Sequence, residues 1–458
     1  MFKNLHLRMA ARQMLKDRQS TILNLVGLST GLACAILIFI WVQDEYGMDQ
    51  SQGNNIYHVM ENRVKSGGIW SAPTTSGPMA EAMANEFPEV EKAVVTRPAS
   101  NITLTVADKN LKANGKRASA AFFEVFNYPL VAGDPKQVLN DKYNIALSDS
   151  LAIRLFGSVE KSIGQTVEWD HQEHYKVAGI FQSINAHHAD PFDFVLSIQL
   201  MMEAQESARQ WGNTGGVSFV KLRAGSNLIA FNQKIAGFVK AKTNGEVTHR
   251  TPFLFPYNQL YLHGNFENGV STGGRIDYVH LFSIIAAFIL VIACINFINL
   301  STAKATRRNK EVGIKKVLGA GRGELIVQYL GESMLLTVLS LAIAVTLVYF
   351  LLPAFNQLTG KLLVLEFTGR LVASLFALTL FTGLIAGSYP ALYLSGFNPG
   401  LVLKGKSAGS KHELFARKGL VVFQFVLSVV LIVGVMVVYK QIRYVQDRNL
   451  GERGHYSA

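Results

Sequence analysis

The sequence predicts an α-helical integral membrane protein with about five transmembrane helices and a large α+β domain outside the cytoplasm. Three observations predict this class: five long apolar stretches, one large polar interruption between the first two, and cations that gather beside the stretches. A run of about 20 apolar residues is long enough to cross a bilayer core as a helix. The composition agrees, because 49% hydrophobic and 17% charged residues, with a mean hydropathy of +0.21, do not describe an ordinary soluble surface.

The apolar stretches delimit the predicted membrane spans. They cover positions 22–42, 279–300, 325–352, 371–394 and 420–438, and the intervening positions 43–278 are numerous enough to fold into domains of their own. The first stretch is followed by Gln43, Asp44 and Glu45 rather than by a small-residue cleavage site. We therefore predict an uncleaved signal anchor.

The positive charges predict the orientation of the chain. The net charge is +12, and a nucleic-acid-binding protein would carry such an excess on one soluble face. Here the cations cluster in segments 3–18, 304–322 and 404–418, beside the spans. The positive-inside rule places these segments in the cytoplasm. The N-terminus and the basic linker 395–419 are then cytoplasmic, whereas 43–278 and the tail 439–458 are outside, and the predicted partner is the lipid bilayer rather than nucleic acid.

The segment before the first span is predicted to be an amphipathic helix. In positions 1–21, apolar and basic residues fall on different faces at helical spacing, which is typical of a helix lying in the membrane interface. The alternative is a basic flank that only sets topology. Cys34 and Cys294 both lie inside predicted spans, so no disulfide is expected in the domain outside the membrane.

The segment 43–278 has the pattern of an α+β domain. Short β-rich runs such as Ile56–Val64 and Tyr175–Phe181 alternate with short helical runs such as Met79–Phe87 and Asp149–Phe156. We predict two subdomains, the second inserted in the first, with the outer piece near Met201–Glu246.

Histidines in this domain raise the question of a metal site. His171 and His174 are three residues apart, and His187, His188 and Asp190 follow in a polar turn. Two adjacent histidines do not easily face one ion, and no familiar set of four ligands is present. Solvated loop histidines are the favoured interpretation, and the absence of a nucleophile motif predicts neither catalytic residues nor a cofactor.

One segment matches the pattern of a phosphate-binding loop. The residues Gly400–Ser407 satisfy Gly-x-x-x-x-Gly-Lys-Ser. Such a loop joins a buried strand to a helix, whereas this one lies between a membrane span and the next span. The segment is therefore interpreted as a basic membrane flank.

The cytoplasmic segment 301–324 has the pattern of a protruding helix. Arg307, Glu311 and Lys315 form a ladder of alternating charge, and Ile314, Val317 and Leu318 form an apolar patch. Gly319 is expected to end the helix. A charged helix with an apolar tip suits docking into a groove of another protein. The alternative is a basic loop that only sets topology.

Several blocks of sequence resemble the FtsX/MacB-like permeases of ABC transporters. The first is Arg-Arg-Asn-Lys-Glu-Val-Gly-Ile-Lys-Lys-Val-Leu-Gly-Ala at 307–320, followed by Gln-Tyr-Leu-Gly-Glu at 328–332. Segments 121–135, 147–157 and 175–180 are similar to the MacB-type periplasmic core, and 389–399 is similar to the end of that family's fourth span. The likeness covers nearly the whole chain.

The resemblance implies a permease subunit, not an enzyme, with an FtsX-like membrane domain at 279–400. Its cytoplasmic segment would couple to a separate ABC ATPase, which moves the periplasmic domain by mechanotransmission. The first span would be the lever, and Gly27 and Gly31 would allow close helix contact. The implied coupling residues are Arg307, Arg308, Glu311, Gly313, Ile314, Lys315, Lys316, Val317 and Gly319.

The resemblance further implies the bacterial inner membrane, a dimer or pseudo-dimer of permease halves, and a periplasmic adaptor or outer-membrane channel. Two functions stay open. The first is export or extrusion of envelope substrates such as peptides, lipoproteins or drugs. The second is FtsX-like signalling to a cell-wall hydrolase or sensor, and the size of the outside domain favours the first. The fifth span departs from the four-span form, so we expect the first half of a tandem-duplicated permease plus the lever of the second half, as a fragment or a truncated gene.

Overall fold

The computed structural model describes residue 14 and residues 17–184, 188–395 and 411–449. The chain divides into two compact units. The first, the helical unit, contains the residues up to Val42 and those from His280 onward, and the second, the outer domain, is Gln43–Val279. Most of the predicted interfacial segment 1–21 lies outside the described residues.

The described chain contains the following helices and strands. The helices are α1 (Arg18–Gly47), α2 (Met79–Glu86), α3 (Phe122–Val125), α4 (Asp149–Phe156), α5 (Gln199–Ala204), α6 (Leu228–Ile235), α7 (Phe238–Lys242), α8 (Tyr257–His263), α9 (Arg275–Val317), α10 (Arg322–Thr359), α11 (Gly369–Ser395) and α12 (Lys411–Asn449). The strands are β1 (Ile56–Lys65), β2 (Gly68–Ala72), β3 (Val90–Val106), β4 (Lys109–Ala118), β5 (Leu130–Ala132), β6 (Asn144–Ser148), β7 (Thr166–Trp169), β8 (Glu173–Phe181), β9 (Phe194–Ser197), β10 (Val217–Leu222), β11 (Arg250–Pro256), β12 (Asn265–Glu267) and β13 (Val270–Gly273).

Five of the described helices are long and apolar enough to cross a membrane, namely α1, α9, α10, α11 and α12. The first four share one apolar core, in which Leu32 of α1, Phe297 of α9, Leu336 of α10 and Ala386 of α11 are buried together. The most apolar window of α12 is only 6% buried, against 22–44% for the other four helices. The helix α12 therefore contributes little to this core.

The ends of these helices differ from the predicted spans. The helix α10 passes Pro353 and continues to Thr359. Proline lacks a backbone N–H and crowds the carbonyl four residues earlier, so it removes a helical hydrogen bond. The helix tolerates Pro353 because the residue lies in the last two turns, where few further hydrogen bonds depend on it. The helix α12 begins at Lys411, inside the predicted linker, and continues to Asn449, inside the predicted tail. A helix can continue through polar residues beyond the apolar run, and hydropathy predicts only the apolar part of such a helix.

The outer domain is built on one mixed sheet of eleven strands in the order β11-β1-β10-β3-β4-β9-β6-β8-β5, with β2 and β7 paired off this path. Strand β3 runs through the whole domain, since it pairs with β10 near its start and with β4 along the rest. Thr96 is paired on both sides, and a register shift between Ala99 and Ile102 interrupts the pairing with β4. The α+β class predicted from the sequence is confirmed for this domain.

Several hydrophobic cores lie along the sheet, and one of them, around Phe122, Phe126 and Phe219, combines residues from both halves of the domain. In the base lobe (residues 43–96 and 199–279), Val59, Met83 and Phe231 are buried between the strands and helices α2, α6 and α7. In the inserted lobe (residues 97–198), Leu147 and Phe194 are buried with α4. Residues that are far apart in sequence thus form the base lobe around a continuous insertion.

Local capping fixes the elements of the inserted lobe. The hydroxyl of Ser148 accepts a hydrogen bond from the Leu151 N–H at 3.2 Å, which caps the start of α4. Asp149 lies in the first turn, where the helix dipole favours a negative charge. Gly157 ends the helix with a φ of 88°, a conformation that glycine adopts without steric cost.

Candidate functional site

The candidate site lies at the end of α9. This helix has 43 residues and runs without a break from Arg275 to Val317. At 1.5 Å per residue its length is about 65 Å, roughly twice the thickness of a bilayer core. The segment 301–317, which was predicted as part of a loop carrying its own helix, is instead the continuation of the second apolar helix. Because no residue in 301–317 breaks the helical pattern, the backbone hydrogen bonds continue past the apolar region.

Gly319 closes the helix and turns the chain into α10. Its φ is 99°. The Ala320 N–H donates to the Lys315 carbonyl at 2.9 Å, and the Gly319 N–H donates to the Lys316 carbonyl at 3.1 Å. This pair of bonds satisfies carbonyls that a helix end would leave without partners. The turn brings the end of α9 against the start of α10.

One face of the helix end is buried. The Val312 side chain is fully buried and packs with Leu325 and Tyr329 of α10 and with Ala391 of α11. Gly313 beside it is also buried. The end of α9 is therefore held against two other long helices rather than projecting alone.

Two lysines at the end of α9 point back to those same helices. The Lys315 ammonium donates to Gln328 Oε1 at 3.4 Å, and the Lys316 ammonium donates to the Ser395 carbonyl at 2.7 Å. Arg322 Nε lies 3.5 Å from the Ser395 hydroxyl. Cations are favoured at the C-terminal carbonyls of a helix such as α11. The sequence carried no signal for these partners, since Ser395 is 79 residues from Lys316.

The opposite face exposes apolar side chains. Ile314 is 54% exposed, Val317 is 64% exposed and Leu318 is 81% exposed. Their spacing of three and four residues places them on one side of the helix end. With Lys315 and Lys316 turned inward, the described end of this helix exposes an apolar triplet (Ile314, Val317 and Leu318). Leu318 belongs to the patch but was not among the residues named from the resemblance.

Three of the named residues have no described side chain. Arg307, Arg308 and Glu311 lie in the helical part of α9, but their side chains are outside the described part of the chain. The charge ladder therefore stays a prediction. The pattern Gly400–Ser407 is also outside the described residues.

Gly27 and Gly31 both face α9. A Cβ atom at Gly27 would lie 2.6 Å from Asn296 Nδ2, and one at Gly31 would lie 2.6 Å from the Ala293 Cβ. Side-chain atoms do not approach so closely, so a Cβ atom at Gly31 would collide with Ala293, whereas one at Gly27 would displace the end of the Asn296 side chain. Spaced one helical turn apart, the two glycines allow α1 and α9 to pack at close range.

The described histidines of the predicted cluster do not converge. His171 Nδ1 lies 3.5 Å from Glu168 Oε1, and His188 Nδ1 lies 3.2 Å from Asp49 Oδ1. His187 is outside the described residues. Within 17–184, 188–395 and 411–449, no group of three or more His, Cys, Asp or Glu side chains could hold a metal ion.

Two family models match most of the chain. Residues 21–238 match the MacB-like periplasmic core domain, and residues 283–399 match the FtsX-like permease C-terminal domain. The chain belongs to the FtsX/MacB-like permease family. This confirms the resemblance drawn from the coupling segment and the domain blocks. Members of this family are inner-membrane proteins with a periplasmic domain, and in this permease the outer domain carries the periplasmic core match.

The permease is also similar to curated exporters. The macrolide export ATP-binding/permease protein MacB of Burkholderia lata is 24% identical over 406 residues, which are 86% of this chain and 56% of that protein. MacB of Bdellovibrio bacteriovorus is 33% identical over 121 residues, which are 26% of this chain and 18% of that protein. The permease thus spans little more than half the length of the first of these relatives.

Solved structures of similar domains are also known. A permease-protein domain from Porphyromonas gingivalis is 23% identical, with a TM-score of 0.39 and coverage of 44% of this chain and 91% of that one. The periplasmic region of MacB from Actinobacillus actinomycetemcomitans is 14% identical, with a TM-score of 0.34 and coverage of 46% and 92%. The family assignment rests on the two sequence matches.

Proposed function

We propose that the chain is the membrane permease subunit of an ABC transporter. A separate ATPase subunit hydrolyses ATP, and the permease transmits the resulting movement to its periplasmic domain. The observation that carries the proposal is the apolar triplet at the end of α9. Exposed apolar residues at a helix end, with the neighbouring lysines bound inward, are suited to a hydrophobic groove on a partner protein.

The continuity of α9 supports transmission. The helix that presents the triplet at Val317 begins at Arg275, where the chain leaves the outer domain. Under the positive-inside rule the triplet is cytoplasmic and the outer domain is periplasmic, with a cytoplasmic N-terminus. A continuous helix resists compression and bending, so a displacement at one end is carried to the other. The close packing at Gly27 and Gly31 makes α1 a second element that such a displacement reaches.

The substrate class proposed is an envelope substrate such as a peptide, a lipoprotein or a drug, moved by export or extrusion. Two observations support export: the MacB-like periplasmic core match, and the similarity to proteins named macrolide exporters. The proposed assembly contains two permease halves, as a dimer or pseudo-dimer, with a periplasmic adaptor or outer-membrane channel.

The docking experiment tests Ile314→Asp and Leu318→Asp. The tagged chain is purified from its native membranes, and co-purified ABC ATPase is quantified by mass spectrometry. Each buried aspartate would cost several kcal/mol in an apolar groove, so recovery should fall by about tenfold or more.

Ile229→Asp is the matched control, because Ile229 is 73% exposed on α6 of the outer domain. This variant should recover the ATPase at the wild-type level. Undiminished recovery with both Ile314→Asp and Leu318→Asp would refute the proposed docking site.

A further inference from the structure

The segment between the apolar part of α1 and strand β1 contains an unusual number of buried polar residues. This connector (residues 43–55) includes Asp44, Glu45, Asp49 and Gln52, which are 8%, 1%, 3% and 3% exposed. Acidic side chains are almost never fully buried unless they are paired. If the connector served only to link the membrane span to the outer domain, its polar side chains would be exposed to solvent. Glu45, Asp49 and Gln52 have hydrogen-bond partners within the outer domain.

Glu45 is bound at the foot of α9. The Tyr261 hydroxyl, on α8, donates to Glu45 Oε1 at 3.1 Å. The Arg275 guanidinium donates to the same hydroxyl at 3.0 Å, lies 3.8 Å from Glu45 Oε1, and stacks over the Tyr261 ring at 4.7 Å. Arg275 is the first residue of α9. These three residues join the end of α1 to the start of α9.

Asp49 is bound to the inserted lobe. The His188 Nδ1–H and the Ala189 N–H donate to Asp49 Oδ1 at 3.2 and 3.3 Å. The side chains of Asp49 and His188 are 5% and 10% exposed. Asp49 has a φ of 57°, a strained conformation for a residue with a side chain. The strain is sustained by the hydrogen bonds that the carboxylate makes there.

Further bonds follow along the connector. The Asn127 N–H donates to Gln52 Oε1 at 2.8 Å, and the Asn127 amide donates to the Ser51 carbonyl at 3.2 Å. Asn127 also belongs to the inserted lobe. The Gln50 amide donates to the Asn258 carbonyl, in α8 of the base lobe, at 3.2 Å. The connector is thus bonded to both lobes and to the foot of α9.

We propose that Glu45 and Asp49 are positioning residues that deliver displacement of α1 to the outer domain. Glu45, in the last turn of α1, contacts Tyr261 and the first residue of α9, and Asp49, two residues after α1 ends, binds the inserted lobe. This inference rests on the proposed transmission function. The backbone of the connector contains little regular structure, because α1 ends at Gly47 and only one short 3₁₀ turn, Gln50–Gln52, follows before β1. Buried charge-assisted hydrogen bonds supply the stiffness, since breaking one leaves a buried charge without compensation.

The first measurement uses the full chain without any partner. After Cys34→Ala and Cys294→Ala, spin labels are placed at Tyr46→Cys on α1 and Glu160→Cys in the inserted lobe, both of which are exposed. Double electron–electron resonance gives the distance distribution between the labels. We expect Asp49→Ala to broaden this distribution and Asp49→Asn, which keeps an acceptor for the Ala189 N–H, to broaden it less.

Glu89→Ala is the matched control. It removes a carboxylate from an exposed ion pair with Lys234 in the base lobe, at 2.7 Å, and should leave the distribution unchanged. His188→Ala removes the hydrogen bond between His188 and Asp49 by deleting the donor, so it should broaden the distribution as Asp49→Ala does. Having two variants keeps the test valid if one of them folds poorly. A distribution as narrow as that of the wild type in both Asp49→Ala and His188→Ala would overturn the proposal.

The second measurement separates transmission from simple stability. Labels at Glu160→Cys and Glu246→Cys report on the two lobes in the complex with its ATPase, without nucleotide and after trapping with ATP and vanadate. We expect a shift in the wild type and its loss in Glu45→Ala and Asp49→Ala, with ATPase recovery unchanged. Retention of the shift in both variants would overturn this inference alone, whereas loss of ATPase binding in the triplet variants tests the proposed function separately.

Discussion

Glu61 and Arg250 form a bidentate ion pair in the interior of the outer domain. Arg250 Nε lies 2.8 Å from Glu61 Oε2, Arg250 Nη2 lies 2.6 Å from Glu61 Oε1, and the two side chains are 0% and 3% exposed. The guanidinium also donates to the Trp211 carbonyl at 3.0 Å and to the Ser76 hydroxyl at 2.8 Å. The pair thus anchors the segments around Ser76 and Trp211 to strands β1 and β11.

Glu61→Gln is expected to destabilise the outer domain strongly. The substitution leaves the Arg250 charge buried without its counter-ion, which typically costs about 3–5 kcal/mol. Glu91→Gln, which removes one partner of an exposed pair with Lys221, is the control and should have little effect. Chemical denaturation of the full chain in detergent, followed by tryptophan fluorescence, measures both. Equal midpoints for the two variants would contradict the structural role of the buried pair.

His58 is expected to make the outer domain sensitive to acid. Burial lowers the pKa of His58 to about 4, only partly offset by the hydrogen bond from its Nε2 to the Pro73 carbonyl at 2.8 Å. In the unfolded chain His58 takes up a proton as the pH falls through about 6.5, whereas in the folded domain it stays neutral until the pH approaches 4. Stability is therefore complete above pH 6.5 and falls as the pH decreases toward 4, by at most about 3 kcal/mol.

The variant His58→Phe separates this titration from that of other groups. An aromatic ring at position 58 can keep the stacking on Phe219, whose centroid lies 4.9 Å from that of His58. Unfolding midpoints measured from pH 7.5 to 4.5 should therefore fall less steeply in His58→Phe than in the wild type. Parallel pH profiles would show that His58 does not carry this dependence.

Gly31→Leu is expected to separate α1 from α9. The Ala293 side chain already occupies the space that a Cβ atom would need, so overpacking should cost about 1–3 kcal/mol. Gly331→Leu is the control, because nothing lies within 4 Å of the Cβ position at Gly331 on α10. Thermal denaturation in detergent measures the difference. A midpoint for Gly31→Leu equal to that of Gly331→Leu would mean that α1 and α9 do not need this close approach.

The candidate site shows how far local sequence reasoning extends. The apolar patch at Ile314 and Val317 was visible as a helical period, and Gly319 was visible as a stop signal, because both depend on neighbours within one or two turns. The sequence did not show that the side chains of Lys315 and Lys316 turn toward the neighbouring helices. It depends on Gln328 and on the Ser395 carbonyl, which only the packing of three helices brings within reach.

By itself, the sequence determined the five apolar helices and the α+β outer domain. The length of an apolar run and the period of its residues depend only on neighbouring positions. In a bilayer such a run must form a helix, whatever the rest of the chain does. Only the tertiary structure decided that Glu45 is buried rather than solvated, because its partner Tyr261 is 216 residues away. A buried carboxylate is stable only where hydrogen-bond donors lie beside it. When those donors come from distant parts of the chain, no local sequence pattern predicts them.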